Sequence, residues 1–173
     1  MTDLAGQQPE LHGARRQLAA AWERECAITL KLLRAYPADQ SELQPHPRAK
    51  HARDLAWIFA LEMALAKMTA HGRLDLSGGF PSAPDSFDEV VSRFESGQRE
   101  LVEAIRGSTD EELAGTVRFY TGPQQMGDIP VVEFLWFLLH DHIHHRGQLS
   151  VYLRMAGGKV PSIYGPSADE PWF

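Results

Sequence analysis

Apolar residues return along much of this chain at steps of three and four, the spacing that lines one face of an α-helix. From Pro9 to Tyr36 that rhythm is carried by Leu11, Leu18, Trp22, Cys26, Ile28, Leu32 and Leu33, and Pro37 ends it. Arg15, Arg16, Glu23 and Glu25 fall between these positions and read as the solvated side. Pro37–Pro47 is a polar connection rich in proline. A second helix is predicted from about Arg48 to His71, with Gly72 as its stop. Its apolar content (Leu55, Trp57, Ile58, Phe59, Leu61, Met63, Leu65, Met68) marks it for burial among other helices. Arg73–Pro84 is a loop whose Ser77-Gly78-Gly79 suits turns and makes no phosphate-binding pattern. Ser86-Phe87-Asp88-Glu89 is a capping-box signature opening a third helix to about Arg106, ended by Gly107. Ser96-Gly97 in its middle lowers helix propensity and points to a close helix contact. Thr109–Glu112 caps one further short turn.

Thr116–Ile129 breaks the helical rhythm with Val117, Phe119 and Tyr120, then Gly122-Pro123 and Gly127. It reads as an extended excursion of one or two short strands. Asp128 is placed to cap the next helix, with Pro130 in the first turn. That last helix is predicted from about Pro130 to Ala156. After Gly157-Gly158 the prolines and glycines of Lys159–Phe173 forbid a helix, while Val160, Ile163, Tyr164, Trp172 and Phe173 want burial. The tail is therefore expected to wrap over the helices or over a partner subunit. Residues 1–8 are small and polar, are expected to fray, and lack the basic and apolar regions of a signal peptide.

Composition narrows the class. A chain of 173 residues suffices for a single domain, residues 1–173, with a real core. Hydrophobic residues at 43% and charged residues at 23% are ordinary for a soluble globular protein. A net charge of −6 argues against a general nucleic-acid-binding surface. The single Cys26 excludes an internal disulfide, suggests a reducing compartment and, on an amphipathic helix, reads as a buried structural thiol. The apolar run Val131–Leu139 is about half the length of a membrane span, and Glu133 interrupts it. The expectation is a cytoplasmic protein with no membrane or nucleic-acid partner.

The chemistry concentrates in the last helix, at His140-Asp141-His142-Ile143-His144-His145-Arg146-Gly147-Gln148, where four of the eight histidines fall within six residues. Ionisable groups amid so apolar a helix are costly to bury unless something pairs with them. A borderline divalent cation is the simplest common partner for imidazoles and a carboxylate. Residues four apart share a helix face, with β-carbons roughly 5–6 Å apart. One ion can thus be held by His140 with His144, or by Asp141 with His145. These four span an arc of roughly 140°, leaving His142 outside it as the poorest candidate. A third ligand must come from another helix. On the second, His51 and Glu62 share a side, and Glu62 lies deeper in the apolar run. A hydrogen-bonded core network or a buried ion pair would also account for these residues.

Four long helices with His144-His145-Arg146-Gly147-Gln148 in the last resemble the DinB/YfiT-like family. The resemblance covers nearly the whole chain in helix order and length, and it is most specific over Leu138–Leu153 and Gly157–Glu170. It implies an all-α, four-helix bundle in up-down-down-up order, usually a homodimer. It also implies a divalent ion, zinc or nickel, held by three residues at one end of the bundle. Aligning on Arg146-Gly147-Gln148 places the family's ligand pair at Asp141 and His145. The second helix departs from the pattern, because the family's Leu-Ala-x-His is here Leu55-Ala56-Trp57-Ile58, and isoleucine binds no metal. Three outcomes stay open: Glu62 substitutes one turn on, the site shifts to His140 with His144, or no metal binds. Arg146 is expected to pair with an acid across a helix or subunit contact. Gly147 is expected to allow close helix packing.

The function the resemblance implies is a metal-dependent enzyme of the thiol S-transferase or isomerase type. It would act on a small-molecule substrate with a low-molecular-weight thiol as cofactor. The competing expectation is a non-catalytic stress-response bundle, its histidines forming a structural metal site or a metal-free network. A small hydrolase using metal-bound water is the third and weakest. If Asp141 and His145 are ligands, alanine at either should abolish ion binding while alanine at His142 leaves it intact.

Overall fold

The predicted helices form where the apolar rhythm places them, with their ends moved by a few residues. The computed structural model describes residues 8–173, with side chains from Gly13 onward. The expected fraying of residues 1–8 lies outside the described residues except at Gln8, which is already helical. The long helices are α1 (Gln8–Ala35), α2 (Ala52–Ala70), α3 (Phe87–Gly107) and α5 (Val131–Met155), with the short α4 (Asp110–Ala114) between the last two. A single 3-10 turn, Ala38–Gln40, follows α1. The excursion before α5 is a two-stranded antiparallel hairpin, β1 (Thr116–Gly122) with β2 (Gln125–Pro130). The architecture is thus mostly helical with a small sheet rather than purely α. Among the described residues no helix is long and apolar enough to cross a membrane.

Local chemistry explains the helix ends. Ser86 accepts a hydrogen bond from the Glu89 backbone N–H at 3.3 Å, and Thr109 forms a complete reciprocal capping box with Glu112. Helix α2 closes on Gly72 at φ +63° and α5 on Gly157 at φ +78°. At both ends two successive N–H groups reach back, Gly72 to Thr69 and Arg73 to Met68, Gly157 to Arg154 and Gly158 to Leu153. That Schellman arrangement needs a left-handed residue, which glycine adopts without steric penalty.

Helix α2 packs against α3 and α5, and α1 also packs against both. Their inward faces meet in a core containing Trp22, Phe59, Phe94 and Phe134. At Gly97 an added β-carbon would lie 3.1 Å from Met63 Cβ, so the glycine does permit the α2–α3 approach. The expectation for Gly147 is corrected: an added β-carbon there meets nothing within 4 Å, and the residue is exposed.

Three further expectations change. Asp128 is no helix cap; it lies in β2 opposite Arg118, and α5 starts after Pro130 with the Val131 N–H bonded to Gly115 O at 3.1 Å. The solvated face of α1 is broken at Glu25, which is buried. The tail lies over the helices only in part. Pro161 is buried and Val160 packs on the core, whereas Tyr164, Trp172 and Phe173, also expected to be covered, are exposed. Polar clasps hold it: Asp169 bonds the Val160 N–H and Arg154, and Glu170 bonds the Ser162 N–H and Lys31.

Candidate metal centre

The inward stripe of α5 runs Val131, Phe134, Leu135, Leu138, Leu139, His142, Arg146, Leu149, Leu153. His142 and Arg146 thus occupy core positions, and Asp141 and His145 sit on the flank facing α2. Helix α2 brings Glu62 into the same region, only 3% exposed. His145 Nδ1 lies 2.9 Å from Glu62 Oε1 and 3.7 Å from Asp141 Oδ2. One ligand atom from each of Glu62, Asp141 and His145 falls within 4.8 Å of the others.

An imidazole nitrogen and two carboxylate oxygens suit a borderline or hard divalent cation. Ligands about 2.0–2.2 Å from one ion stand about 3–3.5 Å apart, close to the separations at His145. The residues present therefore fit a three-ligand site in which the second helix would contribute Glu62. Ile58, one turn earlier, lines the neighbouring cavity instead.

The other candidates fall elsewhere. His140 is exposed beside Trp136, their ring centroids 6.3 Å apart. His144 is exposed and accepts a hydrogen bond from Gln148 Nε2 at 2.7 Å. Neither joins the Glu62 group. His51 caps α2, with Nδ1 3.0 Å from Glu42 O, and does not reach the site.

His142, ranked last from the helical wheel, is the fully buried histidine that contacts Glu62, with Nδ1 2.9 Å from Oε2. Its Nε2 lies 2.7 Å from Thr29 Oγ1. The arc spanned by the ionisable residues alone leaves position 142 out. The apolar stripe Leu135–Leu138–Leu139–Leu149–Leu153 passes through position 142, and following it would have found the residue.

Electrostatics tie the group together. The hydrogen bond that His145 donates to the Glu62 carboxylate raises the pKa of His145 above its usual 6.5; burial opposes this and Asp141 adds to it. Burial raises the Asp141 carboxyl, Glu62 repulsion adds, and attraction to His145 opposes. An ion bound here would displace the His145 proton, so its binding would strengthen with pH through that titration.

A second buried cluster lies one turn on. Arg146 Nη2 donates to Glu25 Oε2 at 2.7 Å, and Nη1 donates to Glu25 O at 3.1 Å and Thr29 Oγ1 at 3.4 Å. Tyr164 from the tail donates to the same Glu25 oxygen at 2.5 Å, and its ring lies against the guanidinium. Arg146 thus has the acidic partner expected of it, on α1.

Two of the cavities among the described residues lie along α1 or α5. One of about 360 Å³ opens beside His145, lined by Arg48, Lys50, Leu55, Ile58, Gln148 and Tyr152 among others. A larger one of about 540 Å³ lies between α1 and α3, with Cys26 on its wall and none of the Glu62 group. Cys26 is buried, with Sγ 3.6 Å from Met63 Sδ, and burial pushes its pKa far up, as expected of a structural thiol.

A DinB family model matches residues 86–172, half of the chain. This chain belongs to the DinB family. The DinB match includes Asp141, His145, Arg146 and Tyr164, while Glu25, Thr29 and Glu62 come from the helices before it. The chain is 26% identical to the Bacillus subtilis protein YrdA over 151 residues, 87% of each chain. Its fold resembles a DinB-like protein from Bacillus cereus, with a TM-score of 0.67 and 24% identity over 85% of this chain and 95% of that one. A DinB-like protein from Bacillus subtilis, YjoA, also scores 0.67, at 17% identity over 84% and 96%. At these identities the two structures speak for the fold alone.

Proposed function

We propose that this DinB protein is a divalent-metal-dependent enzyme of the thiol S-transferase or isomerase type. The observation that carries the reading is the Glu62–Asp141–His145 group beside an open cavity. A zinc or nickel ion bound there would supply the positive charge that favours a low-molecular-weight thiol as its thiolate. Glu62, Asp141 and His145 would hold that charge in place. Leu55, Ile58 and Tyr152 restrict water on one side of the cavity, while Arg48 and Lys50 give it a cationic rim suited to a carboxylate-bearing substrate. Both Glu62 oxygens face imidazole nitrogens, and the one beside His145 is the oxygen that Glu62 would offer to the ion.

A second reading has its own observation. The Glu62 carboxylate is already satisfied by His142 and His145, as in the metal-free network of a non-catalytic stress-response bundle. Elemental analysis of tag-free protein, followed by zinc and nickel titration of the chelator-stripped form, separates the two. The enzyme reading expects about one tightly held ion per chain. It expects loss of that ion in Asp141→Ala, His145→Ala and Glu62→Gln, with His140→Ala and His144→Ala unaffected. Absence of binding would leave the network reading, and tight binding would justify a thiol-transfer screen with carboxylate-bearing thiols.

We further propose that residues 1–173 form one domain with the long helices in up-down-down-up bundle order, acting as a cytoplasmic homodimer. The single core shared by four helices supports the first part. Light scattering on the purified chain tests the second.

A further inference from the structure

His142 is walled on three sides by aromatic rings, with centroids 5.7 Å from Trp22, 4.9 Å from Phe59 and 5.9 Å from Phe94. Polar partners meet the ring only at its two nitrogens. An ionised carboxylate can only accept, so Nδ1 donates to Glu62 Oε2. In the neutral ring Nε2 is then an acceptor and receives a hydrogen bond from the Thr29 hydroxyl. The lone pairs of Thr29 Oγ1 are left to face Arg146 Nη1, which Glu25 holds. The donors therefore run in one direction, Arg146 to Thr29 to His142 to Glu62, and end on Oε2.

This chain divides the two oxygens of one carboxylate. Oε2 is tied into the core by His142, and Oε1 points to His145 and Asp141. Turning the carboxylate so that both oxygens faced an ion would strand the His142 N–H among aromatic rings, a costly unsatisfied donor. We propose that His142, held by Thr29, is a positioning residue that fixes Glu62 so that Oε1 alone is presented to an ion at Asp141 and His145. The inference rests on the metal-site reading above and adds residues that lie outside the ligand group. It also reverses the expectation that alanine at His142 leaves binding intact. Hydrogen-bonded partners of ligands typically change metal affinity about 10–100-fold when removed.

The test is cobalt(II) titration of the full chain, following both affinity and the visible ligand-field bands. His142→Phe keeps a ring in the aromatic cage without the hydrogen bonds, and is expected to bind about 10–100-fold more weakly with shifted bands. Thr29→Val keeps shape and removes only the hydroxyl, and is expected to weaken binding several-fold in the same spectral direction. His142→Asn, which returns a donor near the Nδ1 position, should recover part of the loss. Circular dichroism checks that each variant is folded, and if His142→Phe is not, Thr29→Val decides. Wild-type affinity and bands in a folded Thr29→Val and His142→Phe would overturn the positioning role while leaving the metal site standing. A wild-type chain that binds no cobalt would instead sink the metal reading, and this inference with it.

Discussion

Glu62 shows how much one side chain can depend on its neighbours. Buried at 3% exposure, it would be an expensive charge alone, yet His142 and His145 bring a nitrogen to each oxygen at 2.9 Å. Gly147, five residues beyond His142 on α5, is the opposite case. It sits within a continuous helix, faces solvent and has open space where a β-carbon would stand. We expect Gly147→Ala to stabilise the chain by about 0.5–1 kcal/mol, because alanine loses less backbone entropy in a helix. Urea unfolding would register this as a raised midpoint with an unchanged slope. A lowered midpoint would mean that something packs against the glycine in solution.

At the scale of the elements, α1 and α5 are joined by a buried ion pair inside an otherwise apolar contact. Arg146 and Glu25 are both almost fully buried, and their guanidinium–carboxylate bond is 2.7 Å. Removing one partner leaves the other charge stranded, while removing both at once restores an apolar contact. Arg146→Met is therefore expected to destabilise by about 3–5 kcal/mol, and Arg146→Met with Glu25→Leu to recover most of that loss. The double-mutant comparison by chemical denaturation checks this. Equal losses in the single and double variants would mean that packing, not charge, joins the two helices.

Across the whole molecule the tail is linked to this same pair, since the Tyr164 hydroxyl lies 2.5 Å from Glu25 Oε2. Burial alone would raise the Glu25 pKa, but hydrogen bonds from Tyr164 and Arg146 outweigh it and hold the carboxyl below 4.5. A carboxylate lowered on folding contributes stability that is complete above its unfolded value and is lost as pH falls through the lower folded value. Acidification below about pH 4.5 should thus weaken the α1–α5–tail junction. Tyr164→Phe is expected to be less stable than wild type by about 1–2 kcal/mol near pH 6, with the gap narrowing in acid. Unfolding series near pH 6 and below about pH 4.5 test this, and a gap that does not change with pH would detach Tyr164 from the Glu25 titration.

The order and approximate length of the helices, an extended excursion before α5 and the richness of residues 140–148 in ligand chemistry were all readable in the chain. Periodicity, capping residues and chain breakers act over a few neighbours, so sequence spacing records them. The Asp141–His145 pair and Glu62 were among the readable candidates for the same reason. Which acids and histidines are buried was another matter. Glu25 looked like part of a solvated face and His142 like the residue least able to contribute, yet both lie in the core. Their places depend on partners 121 and 80 residues away, Arg146 for Glu25 and Glu62 for His142. No local pattern encodes such pairings: a charged side chain shows its polarity in the sequence, but only the packing of four helices supplies the counter-charge that lets it stay inside.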